Sequence, residues 1–292
     1  MPACTIHDEL MSFHLSPPVR RRVKAAMALV VGVVLMGATY QGVTTALDRR
    51  ELERPGRLVD VGGHQLHILC LGEGSPTVVL EAAAGGMSAS WAWIQPALAA
   101  QTRVCSYDRA RLGWSEGGTD GYAAGLVPDE LHTLLTNAGE RAPYVLVGHG
   151  LGGSFARAFA SGFPRETAGL VVVEEAGGEA GGLVVAAWPW LARVGLLQAT
   201  GRLTRLAAGL PDEQGAAVQA FLNRPDHLTR AAAEVASVGG AAALAGALPP
   251  ELPVVSVTTR SRGVPALVTT PEQAAPIIDA VRGVVSQVRA GG

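Results

Sequence analysis

Lysine is nearly missing from this chain: Lys24 is the only one, and every other basic residue is arginine. Charge of either sign is scarce, at 16% of 292 residues, and it almost cancels to a formal −2. With a pI near 6.4 there is no electrostatic case for nucleic acid or an acidic partner, and that class is set aside. Cysteine is limited to Cys4, Cys70 and Cys105, an odd count without ligand spacing, which argues against a metal module. No internal repeat, long low-complexity tract or cofactor fingerprint is found, and neither a cofactor nor a metal is expected. What is present is 48% hydrophobic residues, enough for one large core.

Residues 25–47 carry no charge, and at about 1.5 Å per residue they can cross a hydrocarbon layer of about 30 Å. Arg20, Arg21, Arg22 and Lys24 precede the stretch, while only Arg49 and Arg50 follow it closely. This bias orients residues 1–24 as a cytoplasmic tail and 25–47 as a signal anchor, with the rest outside the cytoplasm. A cleaved secretory signal and a buried helix are the alternatives, because the densest apolar part is only 25–38. Residues 48–56 are charged and contain Pro55, as a linker would.

From residue 57 onward, strands alternate with helices. Segments 57–61 and 64–71 flank Gly62-Gly63 and read as a hairpin. Apolar strands are expected at 77–81, 103–107, 144–147, 169–173 and 253–257, with a short last one at 266–269. Helices are expected around Trp91, Trp93 and Ile94, and at 127–137, 151–163 and 272–288; the last presents Ile277, Val281, Val284 and Val288 on one face. Residues 177–247 hold helical patterns at 190–206 and 228–238 without a strand, as a helical lid inserted into the sheet would. Continuous apolar strands between helices predict an α/β fold: a mostly parallel sheet covered on both faces.

The most informative stretch is YVLVGHGLGG, residues 144–153, a strand running through a glycine-rich turn into a helix. Together with TVVLEAAAGG, TRVCSYDRARLGWSE and AGLVVVEEA in that order, it resembles the α/β-hydrolase family from about residue 57 to the end. It looks most like bacterial membrane-anchored members that carry YDRAGxGWS and VGHSLGG. The resemblance implies a nucleophile elbow at residue 150 and oxyanion-hole backbone N–H groups at Ala83 and Leu151. It also implies that the strands bearing Cys70 and Cys105 are neighbours; the two are small buried hydrophobes or, outside the cytoplasm, a disulfide.

The departures from that pattern decide the functional expectation. Gly150 stands where the nucleophilic serine belongs, and glycine has no atom to attack a carbonyl. Histidines occur at 7, 14, 64, 67, 132, 149 and 227, none near the C-terminus where the family places its general base. The segment between Val257 and Pro271 is short, as if the catalytic loop had been deleted. Glu174, beside Glu175, takes the vestigial acid position. Ser154, Ser88 and Cys105 are poor substitute nucleophiles, and His149 reads as core packing, His132 as part of a surface helix and His227 as part of the lid. Asp108, Arg109 and Arg111 read as holding a loop, with Arg111 replacing a usual glycine. The expectation is a hydrolase-fold protein without Ser-His-acid catalysis that at most binds an ester- or acid-like small molecule and meets the membrane through its N-terminal segment. A residual esterase or lipase using the surviving oxyanion hole is the alternative.

Overall fold

The computed structural model describes residues 17–117, 122–175, 182–244, 246–260 and 263–291. Helix α1 (Pro17–Glu51) is 35 residues long. It takes in the end of the expected tail and the start of the expected linker, because nothing breaks a helix between Pro18 and Glu51. It ends just ahead of Arg54-Pro55, where the residue before proline is driven out of helical angles. Residues 1–16 lie outside the described residues.

The sheet has seven strands in the order β1-β2-β4-β3-β5-β6-β7: β1 (Arg57–Asp60), β2 (Gln65–Leu71), β3 (Thr77–Glu81), β4 (Val104–Tyr107), β5 (Tyr144–His149), β6 (Thr167–Glu175) and β7 (Val254–Thr259). β1 and β2 pair antiparallel with each other and β2 with β4, and the rest of the sheet is parallel. The strand expected at 266–269 does not form. β7 ends the sheet, and Ala266, Leu267 and Val268 are instead a buried connection between two cores.

Successive strand residues point to opposite faces, and β5 sorts accordingly. Tyr144 and Leu146 enter one core with Val79, Cys105 and Val172, and Val145 and Val147 enter the other with Val78, Leu80 and Val173. Helices α3 (Val127–Asn137) and α4 (Leu151–Gly162) cover the first core through Leu131, Leu134 and Phe159. Helices α2 (Gln95–Ala99) and α10 (Pro271–Gly291) cover the second through Leu98, Ile277, Val281 and Val284. Each such fully buried aliphatic side chain contributes about 1.5–3 kcal/mol, which is why the sheet interior tolerates no polar run.

Between β6 and β7 lies the helical lid: α5 (Gly182–Arg193), α6 (Leu196–Thr200), α7 (Asp212–Phe221), α8 (Pro225–Ala236) and α9 (Val238–Ala242). Its first expected residues, 177–181, lie outside the described residues. The single helix expected over 190–206 is broken into the end of α5, α6 and a short 3₁₀ turn. Gly195 and Gly201 adopt φ of 69° and 57°, left-handed angles that end a helix. A third core beneath the lid joins Val185, Trp188, Leu197, Phe221 and Leu228 to Met87 and Leu267.

Candidate functional site

β5 delivers Gly150 to the C-terminal edge of the sheet, and α4 starts at the next residue. Gly150 has φ 52° and ψ −120°, a region L side chains rarely enter. Its N–H donates to Val173 O at 2.9 Å, and its carbonyl accepts from Gly153 N at 2.9 Å, closing the turn. Strand and helix touch closely here: a Cβ on Gly152 would stand 2.3 Å from Glu81 O, so only glycine fits. The strand, turn and helix thus close tightly around a residue that carries no side chain.

The space above Gly150 holds a carboxylate. A Cβ added there would stand 2.7 Å from Glu175 Oε1 and 3.8 Å from the Ala83 methyl. Glu174, expected as the vestigial acid, is exposed and paired in register with Thr258; strand alternation sends it to the face opposite Glu175. The acid brought to the elbow is therefore Glu175. Its Oε1 lies 4.0 Å from His149 Nε2. Burial pushes the His149 imidazole down to about 4, so it is neutral at neutral pH and a weak base, with its ring edge-on to Trp91.

The loop after β3, which brings Ala83 beside Gly150, is tied down by charge. Arg109 Nη1 donates to Glu81 Oε1 at 2.5 Å and to Ala82 O at 2.8 Å, and its Nη2 donates to Ala83 O at 2.9 Å. From the lid, Glu234 takes the other side of the guanidinium: Arg109 Nε to Oε1 at 2.8 Å and Nη2 to Oε2 at 2.8 Å. Glu234 also accepts from Gly85 N at 2.9 Å and Arg230 Nε at 3.1 Å. Burial alone favours the neutral forms, but Arg109 and then Arg230 hold Glu234 below the usual carboxylate range, and Glu234 and Glu81 hold Arg109 well above its usual value. Burial raises Glu81 despite Arg109 and the Tyr107 hydroxyl that donates to it. The lid is thereby fastened to the loop that frames the elbow.

A second cluster escaped sequence reasoning. Asp108 Oδ2 lies 3.0 Å from His67 Nδ1, and Ser88 Oγ lies 3.4 Å from the same nitrogen. Serine, histidine and aspartate are together, but not as a nucleophile, base and orienter. A working triad uses opposite ring nitrogens for acid and serine, whereas His67 Nε2 bonds to Pro55 O and all three side chains are buried. Asp108 also accepts from Ser88 N at 2.6 Å and Trp114 N at 2.8 Å. Burial opposes both charges, yet Asp108 raises His67 and His67 lowers Asp108, so the two form a buried ion pair that pins the hairpin to the loop after β4. The available signal was that β2 and β4 pair antiparallel, which sets His67, in the first half of β2, beside Asp108, just past the C-terminal end of β4.

The remaining candidates are placed as follows. Cys70 and Cys105 sit opposite each other across β2 and β4 and are joined by a disulfide. Among the described residues they and Glu140 form a grouping of possible metal-ligand atoms, but disulfide sulfurs are not thiolate ligands. Ser154 lies in the first turn of α4, partly exposed. His132 stacks on Phe163 at 4.0 Å and meets Glu166 at 3.1 Å. His227 is buried, with Nε2 3.0 Å from Gly85 O and Nδ1 accepting from Gly113 N at 3.2 Å. Both its nitrogens are committed, and burial lowers its pKa. Arg111 adopts φ 66°, the conformation for which the resembling motif carries glycine, yet its loop closes through Arg111 N to Glu116 O at 2.9 Å.

Comparisons with known proteins agree with this architecture. A family model described as the alpha/beta hydrolase family matches residues 78–290. An uncharacterised protein of Schizosaccharomyces pombe is 40% identical over 81 residues, 28% of this chain and 15% of that protein. The uncharacterised protein YbdG of Bacillus subtilis is 24% identical over 152 residues, 51% of this chain and 46% of that protein. The chain thus spans less than half the length of these curated relatives. Among solved structures, the epoxide hydrolase CorEH without ligand superposes with a TM-score of 0.61 at 18% identity, covering 80% of this chain and 98% of that one. At that identity the likeness concerns the fold.

Proposed function

This chain belongs to the alpha/beta hydrolase family, and we propose that it is a non-catalytic member, held at a membrane by α1, that binds an ester-like small molecule at the elbow. The observation that carries the proposal is the pairing of Gly150 with the Glu175 carboxylate standing over it. The nucleophile is gone, its space is taken by an acid, and the nearby imidazole of His149 is too weakly basic to serve a serine put back at 150. The other described histidines are held elsewhere by Asp108, Glu166, Gly85 or, for His64, Glu130. An acid-like ligand would face Glu175, so of the two expected classes the neutral ester fits better.

One helix among the described residues, within Pro17–Asp48, is long and apolar enough to span a bilayer, and its most apolar window is unburied. The arginine cluster before it and the Cys70–Cys105 disulfide after it support a single span with the domain outside the cytoplasm. The residual-esterase reading keeps one point in its favour, the backbone of Ala83 and Leu151 flanking Gly150. Even so, an oxyanion hole without a triad retains only about 10³–10⁴ over the uncatalysed rate.

Hydrolysis of short and medium p-nitrophenyl esters by the full chain, beside Gly150→Ser, tests the proposal. Neither protein should turn over above background. Turnover by the starting protein that Glu175→Gln or Ser154→Ala abolishes would overturn it.

A further inference from the structure

We infer that the lid itself rests in the membrane: the exposed face of α5 and the turn into α6 form an in-plane contact with the phospholipid leaflet on the domain's side. The inference rests on reading α1 as a membrane span and goes beyond it, because it concerns a different segment of the chain.

Depth is the first argument. α1 meets the lid backbone to backbone: a Cβ on Gly37 would stand 2.0 Å from Val194 O, and one on Gly195 would stand 2.6 Å from Gly37 O. Four residues on, Gln41 Nε2 donates to Asn223 O at 2.8 Å. Lys24 is the last charge before the apolar stretch, and Gly37 is thirteen residues beyond it. That is about 20 Å along the helix, against a hydrocarbon thickness of about 30 Å. The lid turn touching Gly37 therefore lies roughly 10 Å inside the far boundary, and any tilt of α1 carries it deeper.

The chemistry of α5 is the second. Its sequence, GLVVAAWPWLAR, is apolar on every side with Arg193 as its only charge. Val185, Trp188 and Ala192 face the core beneath the lid. Val184 is 59% exposed and Trp190 70%. At about 100° per residue, these two bound an arc of roughly 120° with the exposed Ala187 midway, and Val194, just past the end of α5, touches the anchor. Leu196, 48% exposed, follows in the turn. A helix apolar all round is buried all round; here one side has protein and the other continues the apolar surface of α1.

Arginine placement is the third. Arg193 lies over the Trp190 ring at 5.0 Å, an aromatic and a cation paired as at bilayer interfaces. Between α1 and the lid is a groove of about 520 Å³ lined by Gln41, Thr45, Arg50, Arg193 and Pro225. It lies along the part of α1 that leaves the hydrocarbon, where lipid phosphates meet guanidinium groups.

The test uses the full chain in nanodiscs whose phospholipids carry dibrominated acyl chains, which quench only nearby indoles. Of the five tryptophans, Trp91 and Trp188 are buried, Trp93 and Trp114 are partly so, and Trp190 alone is exposed. Trp190→Phe should reduce bromolipid quenching at least threefold, and iodide in the aqueous phase should quench the starting protein no more than this variant. If the chain stays with the nanodisc through a carbonate wash but Trp190 answers to iodide and not to bromine, the lid contact is refuted and the anchor stands. If the chain washes off, both fall.

Discussion

Glu175 Oε1 lies 2.7 Å from the point where a Cβ on Gly150 would stand. The two residues are twenty-five apart in sequence; Gly150 directly follows β5 and Glu175 ends the neighbouring β6, so the contact is made where the two strands leave the sheet. It makes the glycine structurally required in the present arrangement as well as chemically inert. Gly150→Ser should therefore lower stability by about 1–3 kcal/mol, the usual cost of a side chain at such backbone angles, with Glu175 displaced in addition. Adding Glu175→Ala should recover part of the loss. Denaturant titration of the three proteins checks this, and a Gly150→Ser variant as stable as the parent would show that the elbow relaxes freely.

The disulfide supports a different part of the fold. Cys70 and Cys105 are separated by 35 residues, and a closed loop of that size restricts the unfolded chain by about 3–4 kcal/mol in the entropic account. Replacing both by alanine should lower the melting temperature by roughly 10 °C for a domain of this size. Scanning calorimetry with and without reductant makes the measurement. A double variant that melts with the parent would mean that the β2 to β4 pairing alone carries the joint.

Acid stability depends on His149. Its imidazole titrates at about 4 in the folded protein because burial disfavours the charge, against about 6.5 when unfolded. Between those values the unfolded chain takes up a proton that the folded one refuses. Stability is therefore lost as pH falls through that window, by up to about 1.4 kcal/mol per pH unit. His227, also lowered by burial, adds in the same direction. His67 is raised, so it is protonated in both states there; its contribution is full below its unfolded pKa and is lost as pH rises through its folded one. Asp108, lowered, contributes above its unfolded pKa and fails as pH falls through its folded one. His149→Gln should remove about one proton from the pH dependence of unfolding between 4.5 and 6.5. An unchanged slope would place the titrating group elsewhere.

The sheet was legible from the sequence because its strands are continuous apolar runs bounded by glycine turns, as at Thr77–Glu81, where expectation and structure coincide. The elbow was legible because only a strand-turn-helix needs glycine at 148, 150 and 152 together. The identity of the acid was harder. Glu174 and Glu175 are chemically equal neighbours, and only the orientation of β6 decides which one faces Gly150. The cluster of His67, Ser88 and Asp108 was invisible as a motif, since strand pairing and a loop bring it together rather than local spacing. The lid departs from the expected helix at Gly195 and Gly201, which interrupt an otherwise helical apolar period; an isolated glycine is tolerated inside a helix at a cost of about 1 kcal/mol, so the pattern alone does not mark these two as ends.

The fastening of the lid gives the sharpest prediction. Glu234 on α8 offers both carboxylate oxygens to Arg109 and also holds Gly85 N and Arg230, all of them buried. Truncating one member of such a pair leaves a buried charge uncompensated, which costs about 3–5 kcal/mol, whereas removing both charges costs much less. Glu234→Ala should therefore destabilise by that amount and speed amide exchange in α8 and in the loop from Ala82 to Gly86, because their shared anchor is gone. Arg109→Met with Glu234→Leu and Glu81→Gln should restore much of the stability, because no carboxylate is then left buried without its partner, while Arg230 keeps its place over the Tyr122 ring. Exchange that stays slow in α8 after Glu234→Ala would mean that the apolar contacts of Leu228 and Ala231, and not the ion pair, hold the lid down.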